Sequence, residues 1–285
     1  VRRAGETIGP FKIVQFLGAG GCGEVYKVTR DDGAVFALKV LTGTSAEVIE
    51  RFLRELEATP AHPHIRPVYR AGQESDGTRW LEMAFLDGLS LKDLLERRQL
   101  GWAEIVRLGV QVCDALEATH RLKIVHRDLK PENLFVDSDA LRHVHVVDFS
   151  IARLQDTARM TRTGTILGTF QYMSPEQVSG ASTVDARSDL WSLGVILYEC
   201  ATGRSPFRAA SLAAVVYDIA FRTPDPVSLH RPDIPGRLAQ VIHRALMKDP
   251  AERFATAGAF REALRSVAAH LGEPSGSVVP PTDER

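Results

Sequence analysis

At 285 residues, the chain is long enough for a well-buried core and for one large domain or two lobes. Its 44% hydrophobic and 25% charged residues are ordinary for a folded protein, and 35 Lys+Arg against 36 Asp+Glu exclude a general nucleic-acid binder. Three scattered cysteines exclude a disulfide framework or zinc site, and the longest apolar run, Leu190 to Tyr198, is too short to span a bilayer. With no signal-peptide pattern at its start, the segment is expected in a reducing, cytoplasmic setting without membrane contact.

In chain order, the first hundred residues read as strands with one helix. Lys12 to Phe16 alternates polar and apolar residues, and Leu17 to Val25 then spells LGAGGCGEV. Glu24 to Thr29 alternates again, Asp31-Asp32-Gly33 signals a hairpin turn, and Val35 to Leu41 predicts the next strand. Residues 45–58 predict a helix capped by Ser45, with Glu47 and Glu50 near its positive end and Pro60 and Pro63 ending it. Trp80 to Phe85 predicts another strand. Beyond Gly88 the period changes. Ile105, Leu108, Val112 and Leu116 lie at helical spacing in a helix over 102–121. His143 to Val147 predicts a short strand, and Asp189 to Thr202, Pro235 to Met247 and Ala257 to His270 predict helices. The fold class is therefore α+β: a small β-rich lobe over 1–86 with one main helix, a mostly helical lobe over 87–271, and a tail of linker composition over 272–285. The two lobes join near Phe85 to Ser90.

The glycines of Leu17 to Val25 follow G-x-G-x-x-G and bare the backbone toward something bulky and charged. Two architectures use this spelling. In a dinucleotide-binding fold the loop opens a helix, whereas here it is followed by the β-branched, alternating run Glu24 to Val28. Strand–loop–strand describes a flap over a nucleoside triphosphate and disfavours an oxidoreductase. Lys39, in Val35-Phe36-Ala37-Leu38-Lys39, lies on the strand paired with that flap, and further on the chain reads His126-Arg127-Asp128-Leu129-Lys130-Pro131-Glu132-Asn133.

With these motifs the sequence resembles the eukaryotic-type (Hanks-type) serine/threonine protein kinases from about Phe11 to Leu271. Asp185-Ala186-Arg187-Ser188-Asp189-Leu190-Trp191-Ser192-Leu193-Gly194 is most like the bacterial branch. The resemblance implies a bilobal kinase fold and ATP- and Mg2+-dependent transfer of phosphate (Mn2+ as an alternative metal) to protein serine or threonine hydroxyls. It implies that Leu17, Gly18, Gly20, Gly21 and Gly23 cover the nucleotide, and that Lys39 grips its α- and β-phosphates, held by Glu55 or else Glu57. Val25, Ala37 and Phe135 would wall the adenine, with Met83 behind and Ala84 and Leu86 presenting backbone groups. Asp93 is either a ribose contact or a plain surface acid.

Asp128 fits the catalytic base, Lys130 a steadying group for the transferred phosphate, Thr169 a contact to both, and Asn133 and Asp148 the metal ligands. Thr161, Thr163 and Thr165 fall where the family keeps its activation segment, with Arg127 and Arg153 as phosphate partners. Autophosphorylation there, in a homodimer, is the expected regulation. Arg253 is expected to pair with Glu176 as a brace.

Two departures stand out. The family's Asp-Phe-Gly reads Asp148-Phe149-Ser150 here, which keeps open a pseudokinase scaffold as the alternative. Cys22 sits inside the flap, as packing or as a redox handle. The proline-rich tail suggests a longer protein continuing past Arg285.

Overall fold

The structure, a computed structural model, describes residues 1–20, 23–41, 61–137, 141–148, 170–181 and 184–271. The predicted helix over 45–58 and the tail over 272–285 lie outside them.

Six strands form the first sheet: β1 (Thr7–Ile8), β2 (Phe11–Gly20), β3 (Gly23–Thr29), β4 (Val35–Leu41), β5 (Val68–Gln73) and β6 (Arg79–Ala84), in the order β1-β2-β3-β4-β6-β5. All neighbours in it are antiparallel. Strand β2 runs longer than its alternation predicts, because its pairing with β3 continues through Gly18↔Val25 to Gly20↔Gly23. The glycine-rich stretch is thus the tip of a hairpin, with a strand where a dinucleotide fold needs a helix. That finding removes the oxidoreductase alternative. One face of the sheet closes over Phe11, Tyr26, Leu38 and Trp80, with Phe11 and Trp80 edge to face at 4.9 Å.

Beyond β6 the chain turns helical. A second, three-stranded sheet joins β7 (Leu89–Ser90), β8 (Leu134–Val136) and β9 (Val144–Val146). Around it stand α1 (Leu91–Arg97), α2 (Trp102–His120), a 3-10 turn at Pro131–Asn133, α3 (Pro175–Val178), α4 (Arg187–Thr202), α5 (Leu212–Phe221), α6 (Val227–His230), α7 (Gly236–Ala245) and α8 (Ala257–His270). Helix α2 buries the expected stripe of Ile105, Leu108, Val112 and Leu116. Helix α4 is apolar on nearly all sides and is buried accordingly, from Ser188 through Tyr198. It forms the axis of the large core, with Trp191 stacked on Phe207 at 5.3 Å and Leu197 and Leu193 among the fully buried residues.

Candidate active site

Three neighbouring strands of the small sheet, β3, β4 and β6, together form one wall of a cleft. The cross-strand pairs Val25↔Lys39 and Ala37↔Met83 set these residues side by side across β3, β4 and β6. Val25, Ala37 and Met83 belong to one apolar cluster, with Leu41 and Leu81 buried beside them. Leu17, Gly18, Gly20 and Gly23 line the hairpin above, while Gly21 and Cys22 lie outside the described residues. Below, Phe135 pairs with Ser90 and His145 in the second sheet and stays half-buried. Leu86 is also half-buried, just past the end of β6.

Lys39 reaches across this cleft. Its ammonium meets Asp148 Oδ2 at 2.8 Å, although the two are 109 residues apart in sequence. Lys39 is 5% exposed, so its charge requires this partner. Burial works to raise the Asp148 pKa, but the Lys39 charge and hydrogen bond, with the Arg66 charge behind them, hold the carboxyl below its usual range. Asp148 has φ 62, a left-handed backbone unusual for a residue with a side chain and a common feature of strained functional turns. Glu55 and Glu57, the expected anchors of Lys39, lie outside the described residues.

The loop around Asp128 is pinned on three sides. Asp189, fully buried in the first turn of α4, accepts backbone N–H bonds from His126 and Arg127, both at 2.8 Å, and a third bond from His120 Nε2 at 2.8 Å. Burial raises the Asp189 pKa; the His120 hydrogen bond and charge and the Arg127 amide outweigh it and hold the carboxyl below its usual range. His126 Nδ1 accepts from the Asp128 amide at 3.3 Å while its Nε2 donates to Val147 O at 2.9 Å, which assigns the Nε2–H tautomer. Val147 in turn donates to Asn133 O. On the third side, Gln177 of α3 donates to Arg127 O at 2.8 Å. Arg127 itself sits at φ 68.

The Asp128 carboxylate receives Lys130 Nζ on both oxygens, at 3.1 and 2.8 Å. Asn133 Nδ2 donates to Asp128 O at 2.7 Å and to Asp128 Oδ2 at 3.3 Å. That commits the amide nitrogen and leaves Asn133 Oδ1, like the Asp148 oxygen not taken by Lys39, as a hard oxygen donor. Oxygen donors of this kind suit a divalent cation. No group of three or more His, Cys, Asp or Glu able to hold a metal occurs among the described residues.

Other expected residues fall elsewhere. Asp93 accepts from Ser90 Oγ at 2.6 Å as part of the α1 cap, so its carboxylate has a structural task. Arg253 pairs with Glu176 through two bonds, at 2.8 and 2.9 Å. Thr161, Thr163, Thr165, Thr169, Arg153 and Ser150 lie outside the described residues. A cavity of about 330 Å³ bordered by Tyr198, Arg204, Arg222 and His230 contains none of the residues above; Arg222 is already spent there on Pro206 O at 2.7 Å. Sequence reasoning missed the work of His120 and Gln177, and Asp189 entered only as part of a motif. Only the fold shows that a carboxylate 61 residues beyond Asp128 anchors its loop.

Among known families, the protein kinase domain matches residues 11–266. The serine/threonine-protein kinase PknD of Mycobacterium tuberculosis (strain ATCC 25618 / H37Rv) is 38% identical over 270 residues, covering 90% of this chain and 40% of that protein. Pkn1 of Myxococcus xanthus, also named a serine/threonine-protein kinase, is 40% identical over 276 residues, covering 94% and 40%. PknJ of Mycobacterium bovis, of the same printed class, is 35% identical over 289 residues, covering 98% and 48%. The chain thus spans two fifths to one half of the length of these relatives.

Proposed function

The chain belongs to the protein kinase family, and from that premise we propose that it transfers the γ-phosphate of ATP to serine or threonine hydroxyls of proteins. The observation that carries this reading is the convergence of Lys39, Asp128, Lys130, Asn133 and Asp148 from three separate stretches of sequence onto one cleft.

In this reading, Val25, Ala37 and Met83 pack against the adenine, and the glycine hairpin closes over the phosphates. Lys39 holds the α- and β-phosphates. Asn133 Oδ1 and an Asp148 oxygen would hold Mg2+, or alternatively Mn2+, which when bound neutralises charge on the β- and γ-phosphates. Asp128 aligns the acceptor hydroxyl and takes its proton as the new O–P bond forms and the bond to ADP breaks. Lys130, already on both Asp128 oxygens, neutralises the transferred phosphate as it arrives. Asp189, His126 and Gln177 fix the loop so that no reorganisation is needed at that moment.

The same reading extends to finer points. It places the lobe boundary after Leu86 and makes residues 272–285 a linker. It sets the segment in the cytoplasm, with autophosphorylation of Thr161, Thr163 or Thr165 between two copies as the control. Among the described residues, no helix is long and apolar enough to cross a membrane. No observation favours the scaffold alternative: the relatives are named as kinases, and Ser150 leaves both metal-ligand positions in place.

Incubating the purified chain with ATP and Mg2+, followed by phosphosite mapping, tests the assignment. Phosphate on Ser or Thr, with Thr161, Thr163 or Thr165 among the sites, is expected. Phosphate confined to tyrosine would overturn it.

A further inference from the structure

Arg66 lies between the described start of the segment at residue 61 and strand β5, and no motif calls for it. Its guanidinium is partly buried, and Nε donates to the backbone carbonyl of Ala84 at 2.8 Å. Ala84 is the last residue of β6, where the chain leaves the small sheet for the helical part. The neighbouring backbone tightens the same joint: Ala84 N donates to Pro67 O at 2.9 Å, and Arg66 N donates to Val146 O at 3.1 Å. Ile65 forms an isolated bridge with Val146, on the strand that leads to Asp148. The positive charge of Arg66 is also among those acting on Asp148, after Lys39. The Arg66 side chain thus ties the Ala84 carbonyl, while the backbone of Ile65 and Arg66 ties the strand that leads to Asp148.

We infer that Arg66 is a positioning residue of the nucleotide site, holding the Ala84 carbonyl in place as the acceptor for the exocyclic amine of adenine. The inference rests on reading the cleft as an ATP site. A carbonyl oxygen has two lone pairs. Arg66 occupies one with a charge-assisted bond, which fixes the direction of the other. Adenine offers an N–H donor at its 6-position, whereas guanine offers an oxygen there. A fixed acceptor therefore favours ATP and rejects GTP, and an acceptor free to turn away discriminates less. Arginine suits the task better than lysine, because its planar fork loses less freedom per bond formed.

The test is the affinity of the 285-residue chain for ATP and for GTP, measured separately by titration calorimetry with Mg2+ in wild type, Arg66→Met and Arg66→Lys. The expected result is an ATP affinity about 10-fold weaker in Arg66→Met, with GTP affinity changed less than about 2-fold and Arg66→Lys in between. Equal weakening for both nucleotides, or none, would overturn the inference, since a merely structural tie has no reason to distinguish the bases. Should Arg66→Met melt too early to titrate, Arg66→Lys and Arg66→Gln read the same ratio, and a ratio equal to wild type in both overturns it. Wild type that binds neither nucleotide would instead defeat the ATP reading itself.

Discussion

Replacing Arg253 by methionine should destabilise the helical part of the protein severely. The Arg253 side chain is fully buried, and its guanidinium makes five bonds. Two go to the Glu176 carboxylate; the other three reach Met247 O at 2.8 Å, Lys248 O at 3.0 Å and Arg187 O at 3.2 Å. The guanidinium also lies 4.9 Å from the ring centroid of Trp191. Methionine keeps much of the volume but leaves three carbonyls without this donor, and Glu176 with Ser188 as its remaining side-chain donor.

Breaking a buried pair from one side costs about 3–5 kcal/mol. An independent route gives a similar size. Burial raises the Glu176 pKa, but hydrogen bonds from Arg253 and Ser188 and the Arg253 charge outweigh it and pull the group from 4.5 to about 2. Because the folded pKa lies below the unfolded one, the stabilisation is complete above pH 4.5 and is lost as the pH falls toward 2. Its size is roughly 3 kcal/mol, at about 1.4 kcal/mol per pKa unit.

Urea unfolding followed by tryptophan fluorescence, with Trp191 beside the lesion, reads the effect. Arg253→Met should lower the unfolding free energy by about 3–5 kcal/mol at pH 7. Adding Glu176→Gln should recover part of that loss, because the unpaired charge disappears. A loss below about 1 kcal/mol, typical of an exposed ion pair, would refute the argument.

Three further outcomes follow from the same geometry. Wild-type stability should drop between pH 4.5 and about 2 more steeply than that of Glu176→Gln, as measured by urea midpoints across the range; parallel curves would show that Glu176 carries no linkage. Asp189→Asn should slow phosphate transfer at least about 10-fold and lower stability by about 2 kcal/mol, because an amide NH2 would confront the N–H of His126 or Arg127; unchanged turnover and melting would remove Asp189 as the anchor of the loop. Gly20→Ala should weaken ATP binding without lowering the melting temperature, since a Cβ there meets nothing within 4 Å, whereas Gly23→Ala should lower both, with φ +140 and a Cβ 1.9 Å from Val40 O. Equal melting temperatures for the two variants would contradict this division.

Much of this arrangement was legible before the structure. The flap was readable because Glu24 to Thr29 alternates with the period of a strand, and α2 because its apolar stripe recurs with the period of a helix. Strand β5 was not, because Val68–Gln73 is an edge strand with no fully buried position and shows no apolar alternation. Helix α5, Leu-Ala-Ala-Val-Val-Tyr-Asp-Ile-Ala-Phe, escaped for the opposite reason: apolar residues on every side hide the stripe. The site was legible where chemistry is written in contiguous motifs, as in His126 to Asn133. Contacts such as Asp189 to His126, or Arg66 to Ala84, depend on chain crossings that local patterns do not encode.

The central claim is that Asp128 receives the proton of an acceptor hydroxyl beside bound ATP. The most direct measurement compares phosphate incorporation by wild type and Asp128→Asn in ATP and Mg2+, with melting curves confirming that both are folded. Incorporation should fall at least about 100-fold in the variant. Equal incorporation by two equally folded proteins would contradict it.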